Sequence, residues 1–212
     1  MRDTKGSGSL SRHASSKMNI GLTGGLGCGK STALQYFREA GAITVDVDAL
    51  VHDMMREDRD LIEAVREAFG NDVIDAQGRV DRGRLAHMVF DNSEALGLLE
   101  SLVHPRVRSA WMRMLGKNHP VLVVEIPLLF ENELQDNFSL TICLSSDPEV
   151  QIRRLKAKGM NESQIQKRKL RQLSLDEKMR RADITIHNNG SLDHLKEQVN
   201  HLMSQFRANL TP

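Results

Sequence analysis

Three scarcities bound this 212-residue chain before any motif is read. It has only two cysteines, Cys28 in a glycine-rich stretch and Cys143 in an apolar one, which excludes a disulfide framework and suits a reducing cytosol. It has no excess of positive charge: 29 Lys and Arg stand against 28 Asp and Glu, a net charge of +1. That balance argues against the broad basic field that nucleic-acid binding demands and leaves anion binding to local clusters. It also has no apolar run long enough to span a membrane. What remains is 40% apolar residues over a length that suits one α/β domain with an inserted or appended helical piece. The first 17 residues, MRDTKGSGSLSRHASSK, are rich in Ser and Gly and lack an apolar signal segment. They read as a disordered leader or tag, with a short transit peptide as the competing reading, and the folded part is expected from Met18.

The strongest signal is Gly24-Gly25-Leu26-Gly27-Cys28-Gly29-Lys30-Ser31, which fits the phosphate-loop pattern G-x-x-x-x-G-K-[ST] at every specified position. Glycines let the backbone turn successive N–H groups onto phosphate oxygens, the lysine reaches the β and γ phosphates, and the serine hydroxyl meets Mg²⁺. The context agrees: Asn19–Thr23 is a short apolar strand pattern, and Thr32–Ala40 is a helix pattern closed by Gly41. The helix N-terminus then faces the anion. A dinucleotide site is excluded by spacing, because Lys30 stands where G-x-G-x-x-G needs its third glycine.

Ala42–Asp48 is a β-rich segment ending in two carboxylates. A strand-helix-strand unit of this size makes adjacent parallel strands, with Asp46 and Asp48 at their carboxyl ends beside the phosphate loop. One of the two would orient Mg²⁺ or take a proton from an acceptor hydroxyl; the plain alternative is that Asp48 caps the next helix. From Asp58 to Lys117 the pattern turns helical: Leu61-Ile62-Val65-Phe69, then Leu85-Met88-Val89, then Leu96-Leu99-Leu102-Val103, then a helix opened by Pro105 with Val107-Trp111-Met114-Leu115. This predicts a helical insert. Asp75–Gly78 fits a GTPase D-x-x-G, but no N-K-x-D follows to read guanine.

The sheet resumes at Val121–Ile126, an unbroken apolar run typical of a strand buried on both faces, and at Leu140–Leu144. Asp147-Pro148 opens a helix carrying Arg153, Arg154, Lys156 and Lys158, and Lys167, Arg168, Lys169 and Arg171 are expected on a second helix, so that the pair reads as a basic lid. Phosphoryl transfer needs such cations, although a solvated helix face explains any single one of them. Ser174–Glu177 fits a capping box, and a short strand precedes Asn188-Asn189-Gly190. The last helix places Leu192, Leu195, Val199, Leu202 and Phe206 in one core-facing stripe.

GLTGGLGCGKS (Gly21 to Ser31), VDVD (Val45 to Asp48), RVDRGRLAHMVF (Arg79 to Phe90), His104-Pro105, EIPLLFE (Glu125 to Glu131), the Gln151 and Arg154 spacing and ADITIHNNG (Ala182 to Gly190) together resemble the dephospho-coenzyme A kinase family. The resemblance covers residues 18 to 200. It implies a parallel five-stranded α/β sheet of the P-loop, nucleoside-monophosphate-kinase-like kind, flanked by helices. Residues 18–55, 118–147 and 182–212 would form the nucleotide-binding core, 56–117 a helical acceptor-binding insert and 148–181 a lid. It implies ATP-dependent phosphorylation of the ribose 3′-hydroxyl of dephospho-CoA, with Mg²⁺, by a cytoplasmic enzyme that is a monomer or weak homo-oligomer and engages neither nucleic acid nor membrane. Carried over by position, Asp48 matches the base, and Gly25, Leu26, Gly27, Cys28, Gly29, Lys30, Ser31 and Thr32 match the ATP phosphate site. Arg154 matches the lid arginine, Arg82, His104 and Leu128 the approach to the acceptor, and Asn188 and Gly190 the turn near adenine.

Two positions depart from the family's habit. Cys28 stands where Ser or Ala is usual, and Lys158 replaces a second lid arginine, keeping charge but losing the planar fork. No aspartate-based metal position is evident on the strand ending at Glu125, which leaves Mg²⁺ to Ser31, phosphates and water, with Asp46 or Asp48 in the outer sphere. Two other classes of function stay open on the residues alone: a kinase of the same fold acting on another nucleotide or small metabolite, and an ATP-gated binding protein. A long helical insert argues for an extended acceptor and against the first; a catalytic pair such as Asp48 with Arg154 argues against the second.

Overall fold

The computed structural model describes residues 17–89 and 92–210; the leader up to residue 16 and the Phe90 end of the RVDRGRLAHMVF stretch lie outside them. Five parallel strands form one sheet: β1 (Met18–Gly24), β2 (Ile43–Asp46), β3 (Val121–Glu125), β4 (Leu140–Ser145) and β5 (Ile184–His187), in the order β2-β3-β1-β4-β5. The expected adjacency of β1 and β2 is therefore corrected, because β3 runs between them. The reason is burial. All five β3 residues are buried, so this strand needs a neighbour and a layer of helix on every side. β2 is only four residues long, and its Ile43 is exposed, which suits an edge.

Alternate residues of β3 feed two cores. Leu122 and Val124 join the core on one face with α2 (Val47–Glu57), α3 (Arg59–Phe69), α4 (Arg82–Val89) and α5 (Ser93–Leu115), while Val121 and Val123 join the core on the other with α1 (Lys30–Glu39) and α9 (Leu192–Leu210). α6 (Pro148–Ala157), α7 (Glu162–Lys169) and α8 (Leu175–Arg181) lie between β4 and β5 in the chain. The carboxyl ends of β1, β2 and β3 open on the same side of the sheet, where parallel α/β proteins bind ligands.

Local chemistry changes several sequence-based expectations. β2 stops at Asp46, whose side chain accepts the Ala49 N–H at 2.9 Å, so Asp46 and not Asp48 is the cap of α2. Asp48 sits inside the first helical turn and is left without capping work. The two helices expected on either side of Pro105 are one helix of 23 residues, with the proline inside it. A proline there removes one backbone donor, and the Arg106 guanidinium donates to the Leu102 carbonyl one turn back at 2.9 Å. Asp147 precedes α6 without a side-chain capping bond, and Arg171 lies in the turn after α7 rather than on it. On α9, Met203 completes the buried stripe with Leu195, Val199 and Phe206, whereas Leu192 is 61% exposed.

One buried charge ties distant segments together. Lys178 of α8 has no exposed surface; its Nζ donates to the Pro127 carbonyl at 2.7 Å and pairs with Glu131 Oε1 at 3.0 Å. Thr23 Oγ1 donates to the same Pro127 carbonyl, and Glu131 Oε1 accepts the Leu173 N–H at 2.8 Å. Burial lowers the pKa of Lys178 while Glu131 opposes that shift, so the ammonium is held where three segments meet: the end of β1, the loop after β3 and the approach to α8. Truncating either partner would strand the other inside the fold.

The capping assignment gives a test. Asp46→Ala is expected to lower the unfolding free energy by about 1 kcal/mol, the usual cost of a lost N-cap, and Asp48→Ala to leave it near wild type. Urea unfolding of the two variants separates them, and a larger loss in Asp48→Ala would return the cap to Asp48.

Candidate active site

The loop between β1 and α1 is closely approached by two distant segments. Gly27 has φ +79°, and a Cβ there would lie 2.9 Å from the Gln151 carbonyl oxygen. Gly29 has φ +90°, and a Cβ there would lie 2.5 Å from Asn188 Nδ2. Neither position admits a side chain, and the left-handed backbone at Gly29 starts α1 without a capping side chain. The first N–H groups of α1 are thus free to meet an anion. Lys30 lies back across the loop, its Nζ donating to the carbonyls of Gly25 (3.1 Å) and Gly24 (3.3 Å).

Over this loop opens a cavity of about 1120 Å³. Leu26, Gly27, Gly29, Lys30, Ser31 and Thr32 form its floor; Asp48 comes from the first turn of α2 and Glu125 from the end of β3; His104, Val107, Arg108 and Trp111 come from α5; Leu128 comes from the loop after β3; and Arg154, Lys158, Arg168 and Arg171 come from the α6–α7 region. His104, Val107, Arg108 and Trp111 are spaced i, i+3, i+4 and i+7, so α5 turns a single face to the cavity. Trp111 fixes that face by stacking on Phe138 with centroids 5.6 Å apart.

Arg154 is positioned over the phosphate loop. Its Nη1 donates to Ser146 Oγ at 3.1 Å and its Nη2 to Asn188 Oδ1 at 3.5 Å, while Asn188 Nδ2 donates to the Cys28 carbonyl at 2.9 Å. Asn188 therefore joins loop and arginine through one amide. Cys28 itself is fully buried beneath the loop, and burial raises its thiol pKa. Gly25 borders a second cavity of about 440 Å³ behind the loop, and Gly190 lies beside His194 outside the main lining. Arg82 also lies outside the lining, though its charge is felt by Asp48.

The carboxylates are tuned by their surroundings. Asp48 faces the cleft, yet dehydration by the cleft walls and the nearby Asp46 raise its pKa, against the pull of Lys30, Arg168 and Arg82. Glu125 is the residue that sequence reasoning passed over. It is only 5% exposed, pairs in register with Leu22 on one side and Asp46 on the other, and keeps a buried Oε2 with no hydrogen-bond partner. Burial first, then Asp46 and Asp48, push its carboxyl up to about 7, against Lys30 and Lys158. The signal was present as a single carboxylate closing an otherwise apolar strand, and only the strand order shows that this strand adjoins the phosphate loop. Arg108, Trp111 and Leu192 were also not foreseen as lining residues.

Comparison with known proteins points one way. A sequence model of the dephospho-CoA kinase family matches residues 18–194. A dephospho-CoA kinase of Aquifex aeolicus is 36% identical over 183 residues, 85% of this chain and 93% of the relative. The crystal structure of TT1252 from Thermus thermophilus superposes with a TM-score of 0.75 at 33% identity, covering 89% of this chain and 97% of that one. The dephospho-CoA kinase of Campylobacter jejuni shares the fold with a TM-score of 0.65 at 23% identity, covering 91% and 98%.

Glu125 makes a prediction that needs no substrate. A carboxyl whose folded pKa lies above its unfolded value favours the fold at low pH, and here the contribution is lost as pH rises from 4.5 to about 7. Glu125→Gln removes that penalty, so at pH 8 it is expected to be more stable than wild type by on the order of 1–3 kcal/mol, a gap that narrows at pH 5. Urea unfolding at the two pH values measures it; equal stabilities at pH 8 would mean that the carboxylate is adequately solvated.

Proposed function

The chain belongs to the dephospho-CoA kinase family, and on that premise we propose that the cavity transfers the γ-phosphate of ATP to the ribose 3′-hydroxyl of dephospho-CoA. The observation that carries this reading is a phosphate loop and a cleft-facing carboxylate, Asp48, opening on one cavity. Residues 18–55, 118–147 and 182–212 act as the nucleotide core, 56–117 as the acceptor insert and 148–181 as the lid.

The free N–H groups at the start of α1 and the loop backbone receive the β and γ phosphates, and Lys30 leaves the Gly24 and Gly25 carbonyls to meet them. Asp48 accepts the proton of the acceptor hydroxyl as its oxygen bonds to the γ-phosphorus and the bond to the ADP oxygen breaks. Its raised pKa brings the base closer to working pH while leaving it ionised above that value. Arg154, held by Ser146 and Asn188, turns its fork to the equatorial oxygens, where charge accumulates. His104 and Leu128 border the acceptor side of the cleft and Asn188 the adenine side, with Gly190 outside the lining two residues on.

Magnesium fits the residues present. Among the described residues no three His, Cys, Asp or Glu converge as a metal-holding group, which suits an ion that keeps water and phosphate oxygens around it. Ser31 and the unpartnered Oε2 of Glu125 would hold it. When bound it would draw charge from the phosphate oxygens during transfer.

Two experiments test the roles. Asp48→Asn is expected to lower kcat by roughly 10² or more with the ATP KM within a few-fold, and Arg154→Ala to lower kcat and kcat/KM together by on the order of 10² to 10³, with Arg154→Lys restoring part. ADP release with dephospho-CoA as acceptor reads all three, and wild-type kinetics in either truncation would remove that residue from the mechanism. Asp46→Asn keeps the α2 cap but removes the charge that raises Asp48, so the acid limb of the kcat/KM profile should move to lower pH. An unmoved limb would mean that the titrating base is not Asp48.

A further inference from the structure

Cations outnumber carboxylates around the main cavity far beyond what one nucleotide needs. Lys30, Arg108, Arg154, Lys158, Arg168 and Arg171 line it, against Asp48 and Glu125 alone. Lys30 and Arg154 sit at the phosphate loop, and Lys158 is close enough to Glu125 to lower its pKa. The other three stand apart. Arg108 projects from the α5 face that also carries His104 and Trp111, while Arg168 and its neighbour Arg171 belong to α7 and the turn after it. None of the three makes an ion pair among the described residues, whereas Arg79 pairs with Asp75 and Lys196 with Glu39. Arg168 is also near enough to Asp48 for its charge to favour the ionised base, which puts it on the acceptor side of the transferred group.

Unpaired guanidinium groups lining one cleft from two separate elements call for a second anion besides the ATP phosphates. The planar fork suits two neighbouring phosphates better than a point charge does. Resting on the acceptor assignment made above, we propose that Arg108 from the insert and Arg168 with Arg171 from the lid form a two-sided clamp on the diphosphate of dephospho-CoA. Binding that group would neutralise repulsion between the two walls and draw the α7 side toward α5, so the correct acceptor itself completes the site around Asp48. An acceptor without a diphosphate would leave the arginines facing each other unneutralised. The clamp thus selects for a nucleotide-like acceptor at a distance from the hydroxyl that reacts.

The test is calorimetric titration of dephospho-CoA, and separately of ATP, into wild type, Arg108→Ala, Arg108→Lys and Arg168→Ala, with Lys156→Ala as a control. Lys156 pairs with Glu162 on the exposed side and does not line the cavity. Each alanine variant is expected to weaken dephospho-CoA binding about 10- to 100-fold with ATP affinity within about two-fold, and the lysine variant to recover part. Added salt should weaken acceptor binding less steeply in the alanine variants than in wild type, since one ionic contact is already gone. Wild-type acceptor affinity in Arg108→Ala, or an equal loss for ATP and acceptor, would overturn the clamp. Thermal melts of each variant check that the loss is not one of folding. Tight binding of dephospho-CoA without turnover in wild type would overturn the phosphoryl-transfer reading and leave the clamp standing.

Discussion

A phosphate site made of backbone N–H groups works only if the backbone cannot relax, and in this fold that rigidity comes from crowding. The carbonyl of Gln151 and the amide of Asn188 come so near Gly27 and Gly29 that no side chain fits at either position. Only glycine fits the left-handed path of the loop there, because residues more than a hundred positions away occupy the space a side chain would need. Asn188 makes the coupling explicit, since the same amide that donates to the Cys28 carbonyl also accepts from Arg154. Loop geometry and the cation above it are set by one side chain.

The site's electrostatics follow from the same compactness. Asp46 at the end of β2 raises the proton affinity of Asp48 in the first turn of α2, and both raise that of Glu125, which is the most deeply buried of the three and has one oxygen with no partner. Such a group weakens the fold at neutral pH, where its ionised form is poorly solvated. Lys178 is the opposite arrangement: a buried charge given a carboxylate and a carbonyl, so that it fastens segments instead of waiting for a ligand. The contrast is between a buried charge with a partner of opposite sign and one without.

Much of the site was legible from short-range signals. The glycine spacing around Lys30, the helix after it and the carboxylates near residue 48 are local features, and local chemistry determines them. The family membership foreseen from those stretches was found as well. What the sequence could not convey was non-local. The order of strands decides that Glu125 and not a residue of β2 stands nearest the phosphate loop, and that order follows from which strand is most completely buried. Pro105 reads as a helix start because proline favours that position; it lies mid-helix because the helix packs on both sides of it, through Val103 and Val107. Leu192 reads as core from its spacing, yet at the first turn of α9 it is exposed and lines the cavity. In each case tertiary packing overrode a correct local preference.

The long helix α5 has a mechanical consequence. Its last turn is fastened beneath the sheet, where the Leu115 carbonyl accepts from Asn19 Nδ2 and Lys17 Nζ at the very start of β1. The opposite end of β1 is the phosphate loop. The strand and the helix are thus joined at their base, so the α5 wall of the cleft and the loop that follows β1 share one anchorage. α7, by contrast, buries only Ile165. The two walls of the cleft are therefore unequally anchored, α5 through three buried side chains and its last turn, α7 through one buried side chain.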